Sequence, residues 1–382
     1  MNSNSNSRFR ITSLGEQLLR PLDPALGLLL AALLTYAVII MASASPSRIE
    51  SQLEHIALAV TMMWIVASIP IQRLLSLAPM LYVAGVALLV MVQLFGTVSK
   101  GAQRWLEFGF GFRFQPSELM KIAMPMALAW FFQKRDGFIG WKEFLLGVVL
   151  LAVPVALIAK QPDLGTALLV AAAGIYVIFF AGLPWKLIVP VAVIGIVGIG
   201  AFAVFGDQWC QQGVQWPILK DYQRDRVCTL LNPTRDPLGK GFHIIQSTIA
   251  IGSGGLAGRG WTLGTQTHGG FLPERHTDFI FAVLAEELGL TGVLVLLALY
   301  LALLVRGLFI AAAAPSLGAK LLAGSMTMIL FTYLFVNIGM VSGILPVVGV
   351  PLPFISYGGT ALVTLCVGIG ILMSARRNWR EH

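Results

Sequence analysis

Apolar residues run through this chain in long blocks, most of them close to the length of a membrane crossing, with polar connections between them. A transmembrane helix needs roughly 20 consecutive, mostly apolar residues. About ten stretches approach that length: 25–45, 53–71, 76–96, 115–133, 144–160, 164–183, 187–206, 277–305, 317–341 and 359–375. Pro125, Pro154 and Pro190 fall inside or at the edge of these stretches. Neighbouring helices re-satisfy the carbonyls a proline frees, so the spans stand. The block 277–305 is long for one crossing and is expected to tilt or to break near Gly289. The pattern predicts an all-α polytopic membrane protein, one integral domain over 1–382. It has a polar tail at 1–24 and a large connection at 207–276 between helices 7 and 8.

Composition sharpens the class. Hydrophobic residues make up 57% and charged residues 12%, against about 25% charged in soluble domains. A soluble core cannot hide that much apolar surface, and a disordered chain would not carry it. The net charge is +8, yet in a membrane protein the placement of cations matters more than their sum, and no nucleic-acid partner is expected. No cleavable leader is expected, because a polar tail with Arg8, Arg10 and Arg20 precedes a full-length span. With the amino terminus in the cytoplasm, the short inner connections and tails hold Arg73, Lys134, Arg135, Lys186, Arg306, Lys320, Arg376 and Arg377. The positive-inside rule therefore puts both termini in the cytoplasm and the 207–276 connection outside.

That connection is too long to be a mere linker. It holds Trp209, Trp216 and Trp261 and an apolar run at 242–251. Phe242, Ile245, Ile249 and Leu256 would share a helix face, which predicts a short helix at the outer membrane surface. The run 252–260 (GSGGLAGRG) reads as a flexible turn and matches no nucleotide-binding motif. Cys210 and Cys228 both lie in this connection, either bridged or as two free thiols; Cys366 lies in a span.

Ionisable groups at membrane depth are costly and mark function by default. Four clusters occur, all on the outer side of the map. Lys100 to Trp105 includes Arg104, followed by Gln115-Pro-Ser-Glu118 and Lys121. Pro116 and Ser117 look like a helix start, and Glu118 and Lys121, three apart, can pair. Such a pair is either a structural ion pair or the wall of a polar cavity. Trp105 is either an interfacial anchor or part of that cavity. The second cluster is Lys160-Gln-Pro-Asp163, where Asp163 favours the positive end of the next helix and Lys160 suits an anion. The third runs from Glu274 through Arg275, His276 and Asp278 to Glu286 and Glu287. Thr277 or Asp278 would serve as a plain helix cap, but a carboxylate at the entrance to the membrane is also placed to act as a base. Glu286 would face the same side as Asp278, and Glu287 the opposite side. The fourth is the proline- and glycine-broken stretch 342–359, with Ser356 as a polar contact. No Ser/His/Asp triad, HExxH or Walker motif appears. Together these point to an anionic, lipid-associated substrate at the outer leaflet.

The motifs KGAQRW, RFQPSE, KQPDLGT, DPLGKGFHIIQS, FLPERHTDFIFAVLAEELG and NIGMVSGILPVVGVPLPFISYGG resemble the SEDS family (shape, elongation, division and sporulation proteins), and within it the elongation branch. The likeness spans the first to the last crossing. One departure is a longer stretch at 207–220, which brings in Cys210. The resemblance implies polymerisation of lipid II, the undecaprenyl-pyrophosphate-linked disaccharide-peptide, on the outer face of the cytoplasmic membrane. It implies a class B penicillin-binding protein and other rod-complex membrane proteins as partners. It carries the family's catalytic aspartate onto Asp278, its QPSExxK element onto Glu118 and Lys121, and its QPDLGT element onto Asp163. Inverting transfer to a 4-hydroxyl needs one general base, and the pyrophosphate leaving group needs positive charge rather than a proton. Arg104, Lys121, Lys160 and Arg275 are candidates for that charge, as is a divalent cation, Mg or Mn, held by acids such as Asp278. Two rivals stand beside this reading: a lipid II flippase, which would need polar groups through the full membrane depth, and a non-catalytic scaffold for the penicillin-binding protein.

Overall fold

The computed structural model describes residues 21–99, 102–108, 112–135, 140–182, 185–211, 221–235, 239–272 and 274–377. The tail through residue 20, Lys100, and the stretch 212–220 with Trp216 lie outside the described residues. The long helices are α1 (Pro24–Ala44), α2 (Ile49–Ser68), α3 (Ile71–Phe95), α4 (Pro116–Gln133), α5 (Trp141–Lys160), α6 (Leu164–Phe180) and α7 (Trp185–Trp209). After these come α8 (Asp221–Leu231), α9 (Lys240–Gly254) and the single turn α10 (Thr265–His268), then α11 (Ile280–Ala313), α12 (Leu317–Val341) and α13 (Gly359–Arg377). Six of them are long and apolar enough to cross a membrane on length and composition alone: α1, α3, α5, α11, α12 and α13. Each apolar stretch read from the sequence overlaps one of the helices α1–α7 and α11–α13. The protein is a polytopic, predominantly helical membrane protein.

Between α3 and α4 the chain adds something the apolar pattern did not announce. β1 (Thr97–Ser99), β2 (Ala102–Phe108) and β3 (Phe112–Phe114) form a small antiparallel sheet in the order β1-β2-β3. The register pairs Thr97 with Trp105 and Leu106 with Phe114. Pairing satisfies backbone N–H and C=O groups that helical hydrogen bonds do not reach between α3 and α4.

α12 is the hub of the bundle, packing against α11, α6, α4 and α13. Most of it is buried, including Tyr333 and Asn337. α2 packs along α13, and α3 along α4. The two faces of the bundle are stapled differently. On the face where α1 begins, Asp23 caps α1 by accepting from Leu26 N at 2.8 Å. The same buried carboxylate takes Arg306 at 2.7 Å and Arg376, which ties α1 to α11 and α13. On the opposite face, which carries the long connection, Ser43 of α1 donates to Glu287 of α11 at 2.5 Å.

α11 does break at Gly289, whose φ of 65° and ψ of −162° leave the helix. The break frees the carbonyls of Glu286 and Glu287, and the glycine-rich run fills it. Arg259 N and Gly260 N donate to those two carbonyls at 3.0 Å each. Leu290 N and Thr291 N donate back to Gly255 O and Leu256 O at 3.0 and 3.1 Å. The run 252–260 is therefore a fixed backbone plug and not a flexible turn. Only glycine fits at Gly258, where a β-carbon would lie 2.1 Å from Glu287 O and φ is +81°.

α9 covers the apolar run of the long connection, as expected. It buries Ile244, Ser247 and Ala250 against α11 and α12 and leaves Ile249 exposed. Leu256, just past its end, is 73% exposed. Cys210 and Cys228 form a disulfide with Cα atoms 5.6 Å apart, joining the end of α7 to α8.

Candidate active site

Three helix starts converge beneath the face that carries the long connection. α4 begins with Pro116 in its first turn and Glu118 in the acidic position that suits a helix start. Lys121 donates to Glu118 Oε1 at 2.6 Å and to the Tyr333 hydroxyl at 2.6 Å. All three side chains are buried, so the pair predicted from spacing is real and is anchored on α12. Glu118 also lines a groove of about 530 Å³ that opens between α2, α3, α4 and α13. Apart from Glu118 and His55 near its upper end, the groove walls are mostly apolar, among them Leu58, Leu81, Val363 and Val367.

α6 begins at Asp163, which caps it through Thr166 N at 3.3 Å. Asp163 also accepts from Gln115 Nε2 at 2.9 Å and lies 3.8 Å from the Arg104 guanidinium. Gln115 bonds Ser117 Oγ at 2.9 Å, so Arg104, Asp163, Gln115 and the start of α4 form one network. Arg104 spends a second donor on Pro162 O. Trp105 is partly buried in β2, its carbonyl accepting from Thr97. Lys160 is exposed at the end of α5.

α11 begins after the tight turn 274–279. Asp278 is not the helix cap: the N-cap is Phe279, which makes no side-chain cap bond. Thr277 does not cap α11 either, since its hydroxyl bonds Glu274. Asn337 Nδ2 donates to Asp278 O at 2.9 Å and to Val350 O at 2.7 Å. The broken stretch 342–359 thus closes against Asp278, and a β-carbon at Gly349 would sit 3.4 Å from Asp278 Oδ2. A β-carbon at Gly165, in the first turn of α6, would meet Val348 O at 2.9 Å. That places the Asp163 helix start beside the same stretch. Tyr333 and Asn337 are four residues apart on α12, about 6 Å along its axis. The Lys121–Glu118 pair and the Asp278 backbone are thus held by residues one helical turn apart on α12.

The remaining expectations sort themselves by geometry. Ser356 is buried, donates to Thr277 O at 2.6 Å and accepts from Leu352 N at 2.8 Å. It holds the turn that carries Asp278 and does not present its hydroxyl to the cavity. Arg275 donates to Thr267 O. Glu286 does not share a face with Asp278, because Asp278 precedes the helix and the helical angle between them does not apply. Its carboxylate instead accepts from Thr265 Oγ1, Gln266 N, Thr267 N and Thr267 Oγ1. Glu287, fully buried, binds Ser43 and His268. Sequence reasoning missed Tyr333 and Asn337, and also Arg226, which donates to Val347 O at 3.2 Å. His243 stacks on Phe279 with ring centroids 5.5 Å apart. Among the described residues no three His, Cys, Asp or Glu side chains gather as metal ligands.

Fold and site define a multi-pass helical membrane protein with a cluster of charged side chains at the starts of α4 and α6, beside the turn that leads into α11. The chain belongs to the SEDS family: the family model of the FtsW, RodA and SpoVE cell cycle proteins matches residues 24–381. It is 51% identical over 356 residues to peptidoglycan glycosyltransferase MrdB of Escherichia coli K12, covering 92% of this chain and 93% of that protein. It resembles a chain from a peptidoglycan synthase complex studied for its coordination of polymerisation and crosslinking, with a TM-score of 0.77 and 35% identity over 94% of this chain and 99% of that one. It also resembles the rod shape determining protein RodA of Thermus thermophilus, with a TM-score of 0.67 and 30% identity over 93% and 97% of the two chains.

Proposed function

We propose that this protein is a peptidoglycan glycosyltransferase that polymerises lipid II into glycan strands during cell elongation. It would cross the cytoplasmic membrane about ten times, with both termini inside and the Asp278 pocket on the outer face. The observation that carries the reading is the convergence of Asp278, Lys121–Glu118 and Asp163 at one face, above an apolar groove sized for part of a polyprenyl tail. The identity to MrdB supports the activity.

In this reading the growing strand is the donor, joined to pyrophosphate through an α-anomeric bond. The 4-hydroxyl of the next lipid II is the acceptor. Asp278 takes the hydroxyl proton as the oxygen attacks the anomeric carbon, the bond to pyrophosphate breaks, and the new linkage is β. One base suffices because the pyrophosphate leaves without protonation, and a base of this kind contributes about 10²–10⁴-fold. Asn337 and Ser356 fix the backbone on either side of that carboxylate. Lys121, already half neutralised by Glu118, sets the potential of the pocket and does not act as a bare cation. Arg104, Lys160 and Arg275 remain candidates for the phosphate charge. A divalent cation, Mg or Mn, would rest on the substrate's phosphates and at most one or two acids such as Asp278. Its chemistry would be to neutralise the leaving group.

A class B penicillin-binding protein is the partner this reading requires, and the match to a synthase-complex chain supports it. The flippase alternative needs charged groups through the full depth. The described acids and bases instead gather at the two faces, with Asp23, Arg306 and Arg376 at one and the Asp278 network at the other. The test is reconstitution with the partner in vesicles holding labelled lipid II, scored for both polymer and translocation. Polymer is expected; translocation without polymer would replace this reading with the transporter.

A further inference from the structure

The glycine-rich run that fills the break in α11 carries large apolar side chains that the fold leaves uncovered. Leu256 is 73% exposed, Trp261 50% and Leu263 65%. Single exposed apolar residues are ordinary on a protein surface, but a close set of them marks a contact. From 252 to 265 the run holds no acid, and Arg259 is its one charged residue. Arg259 is itself exposed, and its Nε donates to Ser253 O at 3.3 Å.

The level of this run is set by α1 and α11. α1 has 21 residues and is about 32 Å long, close to the roughly 30 Å hydrocarbon thickness of a bilayer. Trp261 Nε1 donates to Ile39 O at 3.1 Å. Ile39 lies about 7 Å short of the end of α1 at Ala44. Tyr36, about 12 Å short of that end, donates to Gly292 O at 3.0 Å. The neighbouring Thr291 N donates to Leu256 O at 3.1 Å. Leu256 and Trp261 therefore stand below the end of a crossing and against its side, where an exposed side chain meets lipid. Ile39, Leu290 and Leu294 on the two crossings are exposed as well, so the run continues a lipid-facing surface. Irregular backbone enters hydrocarbon only where its polar groups are paired within the protein. In this run Gly258 N donates to Gly254 O at 2.8 Å and Leu263 N to Gly260 O at 3.0 Å. Arg259 N, Gly260 N, Gly255 O and Leu256 O are all taken up by the break in α11.

We infer that residues 255–263 form a re-entrant wedge that inserts Leu256, Trp261 and Leu263 among the acyl chains of the leaflet at that face, the outer one in the topology proposed above. The hydrogen bonds that close the break in α11 are the same ones that allow the loop into lipid. Tryptophan suits this level, with its ring among the chains and its N–H paired. Arg259 lies on its stem against the run and extends its guanidinium to a phospholipid phosphate. The occupant is phospholipid because the run sits at bilayer depth, flush with two crossings that lipid already surrounds. α10 follows the wedge directly, and Thr267 O holds Arg275 in the turn that carries Asp278. An anchored wedge thus fixes the level of that turn against the bilayer. The inference requires that α1 and α11 cross the membrane and does not depend on the reaction proposed above.

The test is collision of a nitroxide spin label with oxygen, which concentrates in lipid, and with a water-soluble nickel chelate. It uses the full-length protein in nanodiscs of phosphatidylcholine and phosphatidylglycerol. Labels go at Leu256→Cys and Leu263→Cys, with Leu294→Cys on α11 as the lipid-facing reference and Asp225→Cys on α8 as the water-facing one, all at exposed positions. The Cys210–Cys228 disulfide stays oxidised, and Cys366 is replaced by Ala. The oxygen-to-nickel collision ratio at 256 and 263 is expected to match that at 294 and to exceed that at 225 several-fold. A ratio like that at 225 would overturn the inference by placing the run in water. Low collision with both reagents would also overturn it, by showing that protein, such as a second copy of the chain, covers the run. Trp261 gives a second readout that needs no cysteine. Phosphatidylcholine brominated near the head group should quench the wild type more than Trp261→Phe, whereas bromine at the chain end should quench the two alike. Equal quenching of both proteins by the shallow bromine would remove Trp261 from the leaflet and the wedge with it.

Discussion

Asp278 owes its position to side chains that bind its own backbone and that of the residue before it. Asn337 grips its carbonyl and Ser356 grips the carbonyl before it. Asn337→Leu should therefore lower kcat without a matching change in lipid II affinity, because it loosens the base and leaves the head-group contacts alone. Equal loss in KM would show a role in binding instead. Lys121 presents a different case. Removing one partner of a buried ion pair costs about 3–5 kcal/mol, whereas replacing both is often mild. Lys121→Met should thus sharply lower the unfolding temperature, and the Glu118→Gln/Lys121→Met double variant should recover part of it. At this scale the sequence was legible where partners are local. Glu118 and Lys121 are three apart, and their pairing followed from helical geometry. Tyr333 is 212 positions from Lys121 and Asn337 is 59 from Asp278. Nothing local marks such residues, so only the fold reveals them.

Among the elements, the break in α11 is the most informative. A long apolar block with one glycine announced a bend at Gly289, but its partner lay some thirty residues earlier, in a run that reads as a loose turn when taken alone. The four hydrogen bonds between 255–260 and 286–291 turn two weak spots into one rigid joint. Gly258→Ala should destabilise the protein by at least about 1–3 kcal/mol, through positive φ and a clash with Glu287 O. Gly252→Ala, in α9 with nothing within 4 Å of the added carbon, should be neutral or slightly stabilising. Thermal unfolding in detergent distinguishes them, and equal effects would argue against the plug. The β-sheet at 97–114 escaped notice for a related reason. Its strands are short, and their polar residues read as a charged connection.

For the molecule as a whole, hydropathy announced the long apolar helices of a polytopic protein, because the bilayer leaves a chain few choices. Hydropathy did not give the sharing of the site among α4, α6, α11 and α12. That depends on how the helices pack in three dimensions. The proposed topology puts Cys210–Cys228 on the oxidising side, so denatured protein should label with maleimide at Cys366 alone until it is reduced. Labelling of all three cysteines before reduction would place that connection on the wrong face. EDTA should slow polymerisation if a cation accompanies the diphosphate, and magnesium should restore it. The most direct measurement is polymer formation from labelled lipid II by the purified protein with its penicillin-binding partner, wild type against Asp278→Asn. The variant should stay folded and partner-bound while strand formation falls by about 10²-fold or more. Equal polymer from both proteins would contradict Asp278 as the base and with it the mechanism built here.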